Sequence, residues 1–203
     1  ITVELKLYNV LELKEKYPKG FQNAYENWVN SIDYYWDIDN KKTLDAFCDI
    51  FWVFVNDWEY DPISYNYKFD IDYGYYQNNM LDLKGLRLYK YIYNNFYDDL
   101  AKGKYYSNLN SLKSRRSKIN KNIDDCVLTG YYIDNSILQP IIDFLNDYRS
   151  FDGNIFDLYK ACLDNFFEDC VKDYDYCLSM EHFIETSNDN DIYYLSNGKI
   201  YIE

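Results

Sequence analysis

The residues able to do acid–base, nucleophilic or metal chemistry are few in kind and scattered. His182 is the single histidine, and with Glu185 it forms a His-x-x-Glu pair on one helical face, beside Glu181. Such a pair offers two ligands where a zinc site takes three or four, so any centre would need others from distant segments. With one imidazole, Ser–His or Cys–His catalysis must pass through His182, and no matching motif surrounds it. The five cysteines stand at 48, 126, 162, 170 and 177, none in C-x-x-C spacing. Cys162, Cys170 and Cys177 share one helical face but lie too far apart along an axis rising about 1.5 Å per residue to bridge one another. Small apolar thiols in a core are the simpler reading, held reduced in a cytoplasm. Asp70 and Asp72 share a strand face, and Asp37 and Asp39 repeat that spacing. Paired carboxylates can hold a cation or act as acid and base. Neither pair sits in a metal motif, and a chain this rich in aspartate forms such pairs by chance. The expectation is a protein that is not an enzyme and carries no metal, cofactor or catalytic set.

Charge is patterned more sharply than chemistry. The chain has 203 residues, 34 of them acidic and 21 basic, for a net charge of −13. Residues 1–99 carry net −7, residues 100–123 carry +7 with no acid at all, and residues 124–203 carry −13. The basic block includes Arg115, Arg116, Lys118 and Lys121, and it holds two of the four arginines of the chain. Two uses of this block compete: a solvated loop paired with the chain's own acidic faces, or a phosphate contact with Tyr105 and Tyr106 free to stack on bases. The acidic balance of the whole favours the first and weighs against direct nucleic-acid binding. In the C-terminal third, Asp157, Asp164, Glu168 and Asp175 follow spacings of 7, 4 and 7, which place them on one face of a helix. Carboxylates one turn apart are roughly 6 Å from each other, an interval comparable to that of phosphates along a nucleic-acid strand. Such a row could occupy the basic nucleic-acid channel of another protein.

The elements that would position these groups follow from hydrophobic period. Thr2–Tyr8 alternates like a strand. Pro18 suits the first turn of a helix over 18–31. Leu44, Phe47, Phe51, Phe54 and Val55 predict a helix over 42–56, with Asn40 as a possible cap. Residues 63–71 alternate as a strand, and 73–76 read as a turn or strand end. A helix is expected over 82–101, a long loop or broken helix over 102–123, a strand over 126–132, and a helix over 136–148 capped by Asn135. Ile155, Leu158, Cys162, Phe166, Cys170, Tyr174 and Cys177 predict a long helix from 155, with a possible extension through Ile184. Residues 192–195 and 199–202 flank Ser196-Asn197-Gly198 as a hairpin with a type I′ turn. The expected architecture is one α+β domain over 1–203, a mainly antiparallel sheet of about five strands with helices on one face.

Hydrophobic residues make up 48% of the chain, enough for a sizeable core and too many for disorder. No apolar run reaches the roughly 20 residues of a membrane span. No secretory signal is visible, so a cytoplasmic setting is expected, although the missing Met suggests a trimmed start. The chain has 26 Tyr and, by count, 22 Asn, 18 Ile and 17 Lys against 4 Ala, a bias that points to an A/T-rich bacterial or phage genome. The stretch Leu11-Glu12-Leu13-Lys14-Glu15-Lys16-Tyr17-Pro18, running on through Ala24 to Trp28, resembles the opening of many small uncharacterised phage and prophage proteins. Residues 126–132 with Ile137-Leu138-Gln139-Pro140 are similar to a second segment of that group. The matching motifs are structural, and no functional residue carries over with them. In size, charge and source the chain also resembles anti-CRISPR and other anti-defence inhibitors as a class. That resemblance implies a phage-encoded protein inhibitor of a host nucleic-acid-targeting defence enzyme, acting in the host cytoplasm through its acidic face. The alternative is a nucleic-acid-binding accessory protein using residues 102–121.

The two uses of the basic block separate in solution. With net −20 elsewhere in the chain against +7 in residues 100–123, mixed-sequence DNA or RNA should bind no tighter than about 10⁻⁴ to 10⁻⁶ M at physiological salt. Submicromolar binding by fluorescence anisotropy, abolished by Arg115→Ala with Arg116→Ala, would establish the accessory role.

Overall fold

The computed structural model describes residues 5–34, 36–76, 78–102 and 126–201. Its contacts divide the chain into two compact units, Ile1–Tyr35 with Lys172–Glu203, and Trp36–Val171.

The first unit is built on short, well-capped helices. Helix α1 (Val10–Lys16) starts at a reciprocal cap: the Asn9 side chain accepts from the Glu12 amide at 2.8 Å and the Glu12 carboxylate accepts from the Asn9 amide. This pair satisfies two of the four unbonded amides of the first turn. Helix α2 (Pro18–Ser31) begins at Pro18 and buries Phe21 and Ala24, three residues apart. Helix α8 (Met180–Asp189) is capped by the Ser179 hydroxyl, which accepts from the His182 amide. Together with Tyr8, Val10, Leu13 and Tyr194, the buried faces of these helices form one apolar cluster around Phe183. Tyr8 and Tyr194 exchange both backbone hydrogen bonds in a single antiparallel bridge. A methyl group on Gly20 would overlap the Ser196 carbonyl and one on Gly198 the Gly20 carbonyl, and Gly198 also holds φ +87°.

The second unit contains the larger core. In order it has α3 (Asp37–Phe51), β1 (Val53–Tyr60), β2 (Tyr65–Ile71), a short α4 (Asn78–Leu81), α5 (Gly85–Lys102), α6 (Ile133–Asn146), a 3₁₀ turn at Tyr148–Ser150, and α7 (Ile155–Cys177), whose last residues belong to the first unit. Strands β1 and β2 pair antiparallel from Val53↔Ile71 to Tyr60↔Tyr65, with a slip between Asn56 and Glu59 where Asp57 takes φ 50°. The inner face of this hairpin is aromatic. Tyr65 and Tyr67 stack on Phe167, and Phe69 stacks on Phe156 with ring centres 4.3 Å apart. Helix α7 answers with a buried stripe that includes Leu158, Cys162, Leu163, Phe166 and Cys170. In the middle of the core the Tyr76 hydroxyl donates to the Phe51 carbonyl at 2.6 Å and shares a hydrogen bond with Tyr159, so two deeply buried phenols are satisfied.

Several sequence expectations are corrected. The expected five-stranded sheet is not formed among the described residues. The protein is helix-rich, and the described residues contain one two-stranded antiparallel sheet. Residues 2–4 lie outside the described residues, 5–7 are not a strand, and only Tyr8 bridges. The 42–56 helix begins earlier, at Asp37, so Asn40 is a buried helical residue and not a cap. It stops at Phe51, because Val53-Phe54-Val55 pair with β2, and Phe54 leaves the helical stripe for the exposed face of a strand. The hairpin at 192–202 is short: Tyr194 bridges Ile200, the Leu195 amide donates to the Lys199 carbonyl and the Tyr201 amide to the Tyr193 carbonyl, and Ile202 lies outside the described residues. A break at Ser179 separates α7 from α8.

The expected strand over 126–132 is a set of turns wrapped around a carboxylate. Asp134, in the first turn of α6, is fully buried. It accepts from the amides of Leu128, Thr129 and Gly130 at 3.0, 2.7 and 3.1 Å, and from the hydroxyls of Thr43 and Thr129 at 2.7 and 2.8 Å. A buried carboxylate is tolerable only with partners of this number, and the N-terminal end of α6 adds a favourable dipole. Removing it would leave buried donors without acceptors. Asp134→Ala should therefore lower stability by about 3 kcal/mol or more in urea unfolding, far beyond a surface substitution. A loss below 1 kcal/mol would show that water can replace the carboxylate.

Candidate binding surface

The carboxylates predicted to line α7 occupy four different situations. Asp157 is exposed and completes a cap: the Asn154 side chain accepts from the Asp157 amide, and the Asp157 carboxylate accepts from the Asn154 amide at 2.9 Å. Asp164 is half-buried. It accepts from the Tyr67 hydroxyl at 2.6 Å and from Lys160 Nζ at 2.5 Å, which ties α7 to the hairpin. Burial and this carboxylate together push the Tyr67 phenol far above its usual value. Glu168 is exposed, without hydrogen bond or ion pair among the described residues. Asp175 is exposed too, but it lies in the portion of α7 that belongs to the first unit. The periodicity put all four on the polar side of α7, and it could not foretell that one is a cap and another an internal acceptor.

Arg115, Arg116, Lys118 and Lys121 lie outside the described residues. The other candidates have local roles. Asp72 accepts from the amides of Gly74 and Tyr75 and closes a turn. Asp37 accepts from the Tyr60 hydroxyl, and Asp39 accepts from Lys42. His182 is half-buried between the rings of Trp28 and Tyr176, and Glu185 accepts from the Tyr176 hydroxyl at 2.6 Å. Cys162 and Cys170 are fully buried, and burial raises both thiols. Cys48 is half-buried and pushed up to about 12 for the same reason. No described group of three or more His, Cys, Asp and Glu side chains is arranged to hold a metal ion. No described helix is long and apolar enough to cross a membrane.

Five lysines of the described surface pair with neighbouring acids. Lys16 pairs with Glu12, Lys41 with Asp45, Lys42 with Asp39, Lys68 with Asp57 and Lys160 with Asp164. Each exposed pair adds little stability and cancels one charge of either sign locally, so the excess of acids over bases sets the surface field. Sequence reasoning missed a group of exposed aromatics, Trp52, Phe54 and Tyr73, because it placed the first two inside a helix. The β-branched pair Val53 and Val55 was the available signal for a strand there. No family model, curated protein or solved structure matches the chain.

One acid of α7 outside that row, Asp173, is energetically unfavourable. Asp173 has its Oδ2 buried without a hydrogen-bond partner, and desolvation raises its carboxyl above the usual range. Below the ordinary carboxylate value the group is protonated whether folded or not, and the burial costs nothing. Above the raised value the folded state carries a poorly solvated charge, so stability falls as pH rises through that window. Asp173→Asn should melt about 1–2 °C above the wild type at pH 7, a modest gain because the group is only half-buried. The difference should close as the pH is lowered toward 4 in thermal scans followed by circular dichroism.

Proposed function

We propose that the chain is a phage-encoded, non-enzymatic inhibitor that binds the basic nucleic-acid channel of a host defence enzyme through its acidic surface. The observation that carries this reading is the imbalance of unpaired surface charge. Five lysines are held by neighbouring carboxylates, whereas Glu168 and Asp175 face solvent without such partners. Each pair removes one charge of either sign, so the acidic excess of the −13 sequence is left to set a negative field at the surface. The opposite charge of a nucleic-acid channel would speed the encounter and make it salt-sensitive. The A/T-rich codon bias and the resemblance of residues 11–28 and 126–140 to phage proteins support the assignment of source.

The test is capture from host lysate followed by competition. The chain should retain an enzyme that acts on nucleic acid, and labelled nucleic acid should compete with it for that enzyme. Changing Asp157, Glu168 and Asp175 to Asn, Gln and Asn leaves Asp164 and its internal bonds intact. Affinity for the captured enzyme should fall at least tenfold at low salt, mostly through slower association, and the deficit should shrink at high salt. A folded triple variant with unchanged affinity and unchanged salt dependence would refute the mechanism.

A further inference from the structure

The β1–β2 hairpin turns its aromatic inner face to α7, and its outer face is in water. Val53 and Ile71, paired in the register, are buried, whereas Phe54 and Asp70, the next pair, are both exposed. At this end of the outer face three large aromatic side chains stand well out of the core: Trp52 is 45% exposed, Phe54 53% and Tyr73 58%. The Trp52 indole lies flat on Tyr75, with ring centres 4.6 Å apart and planes within 9°. The Trp52 carbonyl accepts from the Asp72 amide, which ties the α3 end to the end of β2.

The backbone at Trp52 is unusual. It ends α3 with φ 52° and ψ 48°, the left-handed conformation that glycine normally supplies at this position. A bulky residue adopts it at an energetic cost. Core burial does not offset that cost, because nearly half of the side chain is in solvent; the conformation serves instead to lay the indole on Tyr75.

The charges around the platform are acidic. Asp70 lies directly across from Phe54 and accepts from the Ile71 amide, and its carboxylate raises the phenol of neighbouring Tyr73. Asp49, near the end of α3, is exposed as well. The lysine on this face of β2, Lys68, is paired with Asp57. An apolar helix laid here would bury the Asp70 carboxylate without a cation, and a phosphate would be repelled by it. A guanidinium meets both demands: it is planar and weakly hydrated, it stacks on aromatic faces, and it bonds a carboxylate through two parallel N–H groups. A lysine ammonium could pair with Asp70 but would use the ring faces less well.

We propose that Trp52, Phe54 and Asp70 form a docking site for arginine side chains of a basic partner segment. The proposal does not depend on the α7 carboxylates, so it can fail while the inhibitor reading stands, and the reverse.

The full chain, with its indole nitrogens labelled with ¹⁵N, would be titrated with capped Arg-Gly-Arg-Gly-Arg peptide and with its lysine counterpart of equal charge. The expected result is a saturable shift of the Trp52 indole signal, with the arginine peptide binding at least threefold tighter than the lysine peptide. Asp70→Asn and Phe54→Ser, both at exposed positions that the fold does not need, should each weaken the arginine peptide at least threefold. Glu15→Gln, an exposed change on α1, should leave it unchanged. Equal affinity for the two peptides, an unmoved Trp52 signal, or a shift insensitive to both substitutions would overturn the proposal.

Discussion

A single buried carboxylate organises the middle of the larger unit. Asp134 gathers three backbone amides and two hydroxyls, from the turns at 127–130 and from Thr43 on α3, against the first turn of α6. None of these donors belongs to a lysine or arginine, so the charge is held by dipoles alone. That arrangement is directional. It dictates where each amide points, and through them it fixes how residues 127–130 enter α6 and how α6 meets α3. Val127, Leu128, Ile133 and Ile137 are buried as a consequence, and the apolar core closes around a polar centre that has no unmet demand.

Aromatic packing then completes what that centre begins. The chain has 26 tyrosines, and the fold puts many of those rings to use. Tyr65 and Tyr67 stack on Phe167, while Tyr76 and Tyr159 share a buried hydrogen bond. A tyrosine can bury its ring and still leave its hydroxyl to find an acceptor, and Asp164 is one such acceptor. Carboxylates that look alike in sequence therefore divide by environment. Asp134 is a structural centre, Asp157 a cap, Asp164 an internal acceptor, and Glu168 and Asp175 are left to face water. The surface field that the proposed function requires is the residue of this division.

Helix α7 and the hairpin show how far local pattern reaches. A sustained 3.6-residue period made the start of α7 at Ile155 and its buried stripe legible, because a helix this long repeats its signal many times. Strand β2 was legible for the same reason at period two, beginning two residues later than expected. Strand β1 was not. Leu44, Phe47 and Phe51 carry a helical stripe that Phe54 and Val55 continue in register, and only the left-handed turn at Trp52 interrupts it. That turn is chosen by tertiary contacts, the stacking on Tyr75 and the bond from Asp72, which no local propensity encodes. Helix α1 was missed because seven residues held by a reciprocal cap carry too little period to be seen.

By itself the sequence determined the acidic balance, the placement of polar and apolar sides on its long helices, and the burial of Cys162 and Cys170. Each of these depends on residues near one another in the chain, where spacing and geometry coincide. Only the tertiary structure decided that residues 126–132 coil around Asp134 rather than extend. The same holds for the choice of which carboxylates keep their charge in water, and for the exposed aromatic end of the hairpin. Those outcomes rest on partners up to 97 residues apart, as with Tyr67 and Asp164. Pairing over such distances is selected by the summed packing of the core, and no window of sequence contains it.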